Sequence, residues 1–205
     1  MGVELSAQMA ERARTLVPEA EVQVGDASQL HFEDDSFDLV MSAFVIFFIP
    51  DPTAALREWR RVLAPGGRMA IATWGSPDPR WAFEREIRRR YIGELEPALL
   101  QDLGRGLALL ERFSAPEKVV VELREAGFDD IEVVEHQIEF VFGDERDWWE
   151  WNFSHANRRF FEGMPAEAFE RMRTEVEAAM QQVRDERGFP RTYTALFARC
   201  RESDR

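Results

Sequence analysis

Apolar positions along this chain alternate between two rhythms. Residues 21–24 (EVQV) and 37–41 (FDLVM) are short runs of strand length, the second an almost continuous apolar segment of the kind buried inside a sheet. Between residues 53 and 63 (TAALREWRRVL), Ala55, Leu56, Trp59, Val62 and Leu63 recur at helical spacing, and Ala64-Pro65-Gly66-Gly67 is expected to end that helix before a strand over 68–73. Upstream, residues 2–5 read as a strand end, and Ser6 can cap a helix over 7–16 that Pro18 stops. Downstream, residues 77–111 read as interrupted helix and 115–126 as a helix with Pro116 in its first turn. A strand over 131–140, a helical stretch over 144–186 and a strand over 192–200 (TYTALFARC) follow. Strand–helix alternation of this kind favours an α/β fold, a mostly parallel sheet with helices on both faces.

Length and charge narrow the function classes. At 205 residues the chain is long enough for one sizeable core, so one domain spanning 1–205 is expected, with helical insertions at about 77–113 and 144–188. Acidic residues number 39 against 26 lysines and arginines, a net charge of -13 that repels phosphate backbones and anionic headgroups, so neither nucleic acid nor membrane is an expected partner. The single cysteine, Cys200, excludes an intramolecular disulfide and a cysteine zinc site, and suits a reducing, cytoplasmic setting. The longest apolar run, residues 43–49 (AFVIFFI), falls far short of the roughly 20 residues that cross a bilayer.

Four segments in order carry more information than any of them alone: GVELS, VQVGDASQLHFEDDSFDLVMSAF, RVLAPGGRMAIATWG and LREAGFDDIEV. Together they resemble the successive signature segments of class I S-adenosylmethionine-dependent methyltransferases of the small-molecule type. That resemblance implies a Rossmann-like fold with an antiparallel last strand, S-adenosylmethionine as cofactor with S-adenosylhomocysteine as product, and a small-molecule methyl acceptor. In an open parallel sheet, ligands sit beyond the carboxyl ends of the strands, so an acid at a strand end meets the ligand. By the resemblance Glu4 is the acid that accepts hydrogen bonds from the two ribose hydroxyls, and Asp26 the one that accepts the adenine amino group, with the Ala27 amide donating to a ring nitrogen. Leu5 and Met9 would line the adenosine. Ser42 and Ala43, small residues after the strand at 37–41, would approach the methionine moiety and its sulfur.

The residues themselves leave other readings open. An aspartate after glycine commonly caps its own loop, and Leu5 and Met9 are also plausible as packing residues. His31, His136 and His155 have no metal-ligand spacing, and the acidic run Glu33, Asp34, Asp35 and Asp38 lacks the calcium-loop pattern, so no metal is expected. Trp148, Trp149, Trp151, Phe153, Phe160 and Phe161 concentrate aromatic surface around His155, either as core or as a lid over the cleft for a hydrophobic or aromatic acceptor, with His155 placed to take a proton. No catalytic residue is assigned.

The resembled family also has a first strand, which lies mid-sheet, and a glycine-rich turn; neither precedes GVELS here. The expectation is a truncated methyltransferase with first strand and helix missing, whose open sheet edge promotes homo-oligomers. A non-catalytic, methyltransferase-like binding or partner subunit is the alternative.

Overall fold

The computed structural model describes residues 1–155 and 157–202. In chain order the elements are β1 (Gly2–Glu4), α1 (Ala7–Leu16), β2 (Val22–Val24), β3 (Phe37–Ala43), α2 (Pro52–Arg61), β4 (Leu63–Trp74), α3 (Ala82–Arg90), α4 (Pro97–Arg112), α5 (Pro116–Glu125), β5 (Phe128–Phe142), α6 (Glu145–Phe153), α7 (Arg158–Glu162), α8 (Ala166–Met180) and β6 (Phe189–Glu202). Short 3-10 turns occupy Ile46–Phe48, Pro79–Trp81, Ile92–Glu94 and Gln181–Val183. The α/β reading of the sequence holds.

The strands form two sheets. β1 pairs in parallel with β2, and a four-stranded sheet has the order β3-β4-β6-β5, with β3 and β4 parallel. Among the described residues β3 is therefore an edge strand. The sequence marks it as buried, and this is corrected: Leu39 is 47% and Met41 73% exposed. A strand with a neighbour along one side only leaves its other margin, and the side chains along it, to solvent.

Local chemistry accounts for the element ends. Ser6 caps α1, its hydroxyl accepting from Met9 N at 3.3 Å, and Asp51 caps α2, accepting from Ala54 N at 2.9 Å, with Pro52 in the first turn where its missing N–H costs nothing. The Ala64-Pro65-Gly66-Gly67 segment is not the expected break between helix and strand. It is a bulge inside β4: Phe37 pairs with Leu63 but Leu39 with Arg68, so the four residues leave the ladder, and Gly66 adopts φ +73° there.

The chain divides into two compact units, the first comprising Met1–Thr73, Arg112–Val134 and the described residues from Leu196 on, the second Trp74–Glu111 and Glu135–Ala195. The core of the first holds Leu56, Trp59, Leu63, Met69 and Ile71 with Phe113, Leu123, Phe128 and Leu196. Cys200 is buried in it, its thiol 3.9 Å from the Met69 carbonyl and pushed up to about 12 by burial, hence an inert packing residue. The second unit packs Trp81, Ile87, Tyr91, Trp148, Trp149, Phe160, Phe161, Met172 and Phe189 into one cluster. No helix among the described residues is long and apolar enough to cross a membrane.

Candidate functional site

In the first unit the strand ends gather most of the residues singled out in the sequence. β1 ends at Glu4, which is paired with Val24 at the end of β2, and the Gly25 amide continues the ladder onto the Glu4 carbonyl at 3.0 Å. This single bond carries the chain from β2 across to Asp26 and Ala27, so two carboxylates from separate strands share one carboxyl-terminal end. A side chain at Gly25 would meet Val3 at 3.2 Å, which ties the close approach of the two strands to glycine. The Glu4 carboxylate accepts from Ser6 N at 2.9 Å, beside the N-terminus of α1.

Asp26 uses Oδ1 locally, accepting from Ser28 N at 2.8 Å and Ser28 Oγ at 2.7 Å. These bonds, the backbone one first, hold its carboxyl below the ordinary aspartate range, so the group is an anion and an acceptor at neutral pH. The loop-capping role that the sequence left open is thus real, and it orients the carboxylate. Ala27 is fixed from the other side, its carbonyl accepting from Trp59 Nε1 at 2.7 Å. That leaves the Ala27 backbone held in one orientation by a core tryptophan. Leu5 and Met9 are 74% and 53% exposed, which removes core packing as their role and leaves an apolar surface beside Glu4.

Ser42 and Ala43 close β3 and belong to the other sheet, paired with Ile71 and Ala72 of β4. Phe44, directly after them, takes a left-handed φ of +56°, and its amide returns to Ala72 O at 2.8 Å. A bulky residue in that region is strained, and such strain concentrates at ligand sites. The structure thus groups Glu4, Leu5, Met9, Asp26 and Ala27 around β1 and β2, and sets Ser42 and Ala43 apart at a second strand end.

The second unit resolves the aromatic concentration into two roles. Trp148, Trp149, Phe160 and Phe161 are core, while Trp151 is half-buried and its ring centre lies 4.0 Å from that of His155 and 5.0 Å from that of Tyr193. Desolvation of the His155 ring, the largest effect, acts with the charges of Arg88 and Arg191 against a backbone hydrogen bond at Trp151. The net result keeps the imidazole below its ordinary pKa and neutral. Sequence reasoning missed Tyr193, Arg191, Arg88 and Glu84. The only signal was charge placed on apolar faces, Glu84 and Arg88 one turn apart beside Ile87, and Arg191 and Tyr193 alternating along a core strand. Among the described residues no cluster of histidine, cysteine and carboxylates is arranged to hold a metal.

A family model described as "Methyltransferase domain" matches residues 1–71. A 2-methyl-6-phytyl-1,4-hydroquinone methyltransferase of Synechocystis is 38% identical over 100 residues, covering 45% of this chain and 31% of that protein. A demethylmenaquinone methyltransferase of Lactiplantibacillus plantarum is 28% identical over 156 residues, covering 70% and 63%. The chain spans from about a quarter to just under two thirds of the length of the curated relatives it matches. Among solved structures, the YcgJ protein of Bacillus subtilis has a TM-score of 0.60 at 18% identity, covering 100% of this chain and 82% of that one. A Haemonchus contortus phosphoethanolamine N-methyltransferase 2 with bound S-adenosyl-L-methionine has a TM-score of 0.51 at 21% identity, covering 98% and 43%. These two likenesses are of fold.

Proposed function

We propose that the chain is a class I S-adenosylmethionine-dependent methyltransferase, a reading supported by the family model over residues 1–71, and that it transfers the cofactor's sulfonium methyl to a small aromatic or hydrophobic acceptor. The observation that carries the reading is the joining of Glu4 and Asp26 at one carboxyl-terminal strand end through the Gly25–Glu4 hydrogen bond. Two carboxylates, one fixed amide and an exposed apolar surface are the donor set a nucleoside requires: an acceptor for a vicinal diol, an acceptor for an exocyclic amine, a donor for a ring nitrogen, and cover for the purine face. Glu4 holds the ribose, Asp26 and Ala27 read the adenine edge, Leu5 and Met9 cover it, and Ser42 and Ala43 leave room for the methionine part.

The cofactor, when bound, supplies a methyl on a positively charged leaving group. The protein's contribution is then alignment of nucleophile and methyl, with a base needed only where the nucleophile is protonated. The hydroquinone in the name of the Synechocystis relative supports an aromatic acceptor, as does the half-buried Trp151 beside Tyr193. The reading also places the protein in the cytoplasm, in keeping with one buried free cysteine, and as a self-associating chain, in keeping with the open margin of β3.

The test is transfer of a labelled methyl from S-adenosylmethionine to a panel of phenolic and hydroquinone acceptors by the purified chain, followed by mass. Incorporation that falls at least about tenfold in Asp26→Ala supports the reading. Absence of transfer across the panel by a chain that binds the cofactor would favour a non-catalytic partner subunit instead.

A further inference from the structure

The second unit encloses charge that its own packing leaves unbalanced. Glu84 is buried and forms ion pairs with both Arg88 and Arg191, the latter at 2.7 Å. Arg88 spends two further donors on Asn157 Oδ1 and Asn152 Oδ1, each at 3.0 Å, and both are neutral. Arg191 lies over the rings of Trp81 at 4.9 Å and Tyr193 at 5.3 Å. The other carboxylate of this neighbourhood, Asp78, is engaged by Arg80 at 2.7 Å. Two guanidiniums thus share one carboxylate, and a charge taken out of water without a full partner is costly.

Beside this excess of positive charge stands a second anomaly. Among the described residues the Tyr193 hydroxyl is enclosed with no hydrogen-bond partner, and so is Arg88 Nε. A buried donor without a partner costs about 1–3 kcal/mol, so a group retained in that state invites a ligand as its explanation. Burial raises the Tyr193 pKa, which keeps the hydroxyl protonated and hence a donor. Its half-buried ring is flanked by Phe140 and Trp74, with centroids at 5.6 and 6.2 Å, and these two neighbours are 52% and 38% exposed. Together with Trp151, whose ring centre lies 5.0 Å from that of Tyr193, they form an aromatic cluster around the tyrosine ring, with Phe140 and Trp74 at its exposed side.

We propose that this constellation is an anchoring site for an aromatic acid: the ring packs on Trp74, Phe140 and Trp151, and its carboxylate takes the Tyr193 hydroxyl and the Arg191 guanidinium. The inference rests on the methyl-transfer reading in one respect, that the anchored molecule is the acceptor. Entry moves the two exposed rings, and the ligand's negative charge supplies what Glu84 alone does not. Tyr193 and Arg191 are here positioning residues, since they hold the ligand by a group that does not react. His155, neutral and stacked edge-on against Trp151, borders the same cluster.

The probes are 4-hydroxybenzoate and its neutral counterpart 4-hydroxybenzyl alcohol, titrated into the full chain without cofactor and followed by tryptophan fluorescence. The carboxylate is expected to bind saturably and at least about tenfold tighter than the alcohol, with Tyr193→Phe and Arg191→Gln each removing about tenfold of that preference. Tyr193→Phe keeps the ring and its packing, so it remains informative if Arg191→Gln fails to fold. Equal binding of the two probes, no binding by the folded wild type, or an undiminished preference in Tyr193→Phe would overturn the site. Because no cofactor is present, the site can fail while methyl transfer to other acceptors survives, and the reverse outcome is equally readable.

Discussion

At the scale of single residues, Asp78 shows how one buried carboxylate organises its surroundings. It accepts from Arg80 N at 2.9 Å, from the Arg80 guanidinium at 2.7 Å and from Thr192 N at 2.8 Å, so the turn Pro79–Trp81 is tied to β6. Burial by itself raises its pKa, but the hydrogen bonds from Arg80 and Thr192 outweigh burial and the net shift is downward. A carboxylate depressed in the folded state contributes stability that is present above its unfolded pKa, near 3.9, and lost as pH falls through the folded value. Asp78→Asn should therefore lose about 1.5–3 kcal/mol at neutral pH in urea unfolding, and the gap to wild type should close below about pH 4. A gap that persists unchanged in acid would mean the loss is one of packing. The strand-end positions of Glu4 and Asp26 were legible at this scale, because acids at strand ends follow from the alternation of elements; the cofactor roles given to them rest on the resemblance and remain proposals. Tyr193 and Arg191 were not, because an unpaired hydroxyl and an unbalanced guanidinium are properties of three-dimensional neighbours, and their sequence segment reads as an ordinary core strand.

At the scale of elements, the turn ahead of β6 depends on Gly188. It holds φ +127°, and a side chain there would stand 2.2 Å from the Phe142 carbonyl at the end of β5. The obstacle is backbone and cannot swing aside. Gly188→Ala is expected to cost at least about 2 kcal/mol, from strain in a region essentially confined to glycine together with the clash, and to lower the melting temperature by several degrees, on the order of 2–4 °C per kcal/mol for a chain of this size. A melting temperature within about 1 °C of wild type would contradict this geometry. Two helix starts were readable from the sequence, since Ser6 and Pro116 act locally. The Ala64-Pro65-Gly66-Gly67 bulge and the exposure of β3 were not. The first depends on which residue of β3 faces Leu63 and which faces Arg68, and the second on what lies along the far margin of the strand; neither is encoded by local pattern.

At the scale of the whole molecule, the two-stranded and four-stranded sheets formed by the described residues leave β3 with an unpaired margin, with Leu39 and Met41 exposed on the strand. Exposed backbone donors and acceptors beside apolar side chains favour strand pairing between copies, while a net charge of -13 opposes it. Light scattering should find a dimer or larger assembly that strengthens as salt screens the charge, and Met41→Lys should shift it toward monomer. A monodisperse monomer at high salt would remove the self-association proposal while leaving the site untouched. The central claim is that the β1 and β2 strand ends bind the cofactor. Calorimetric titration of S-adenosylhomocysteine into the chain, with Glu4→Ala and Asp26→Ala in parallel, tests it most directly. The account predicts saturable one-to-one binding that each substitution weakens by about tenfold or more; no heat from the folded wild type, or wild-type affinity retained in both variants, would contradict it.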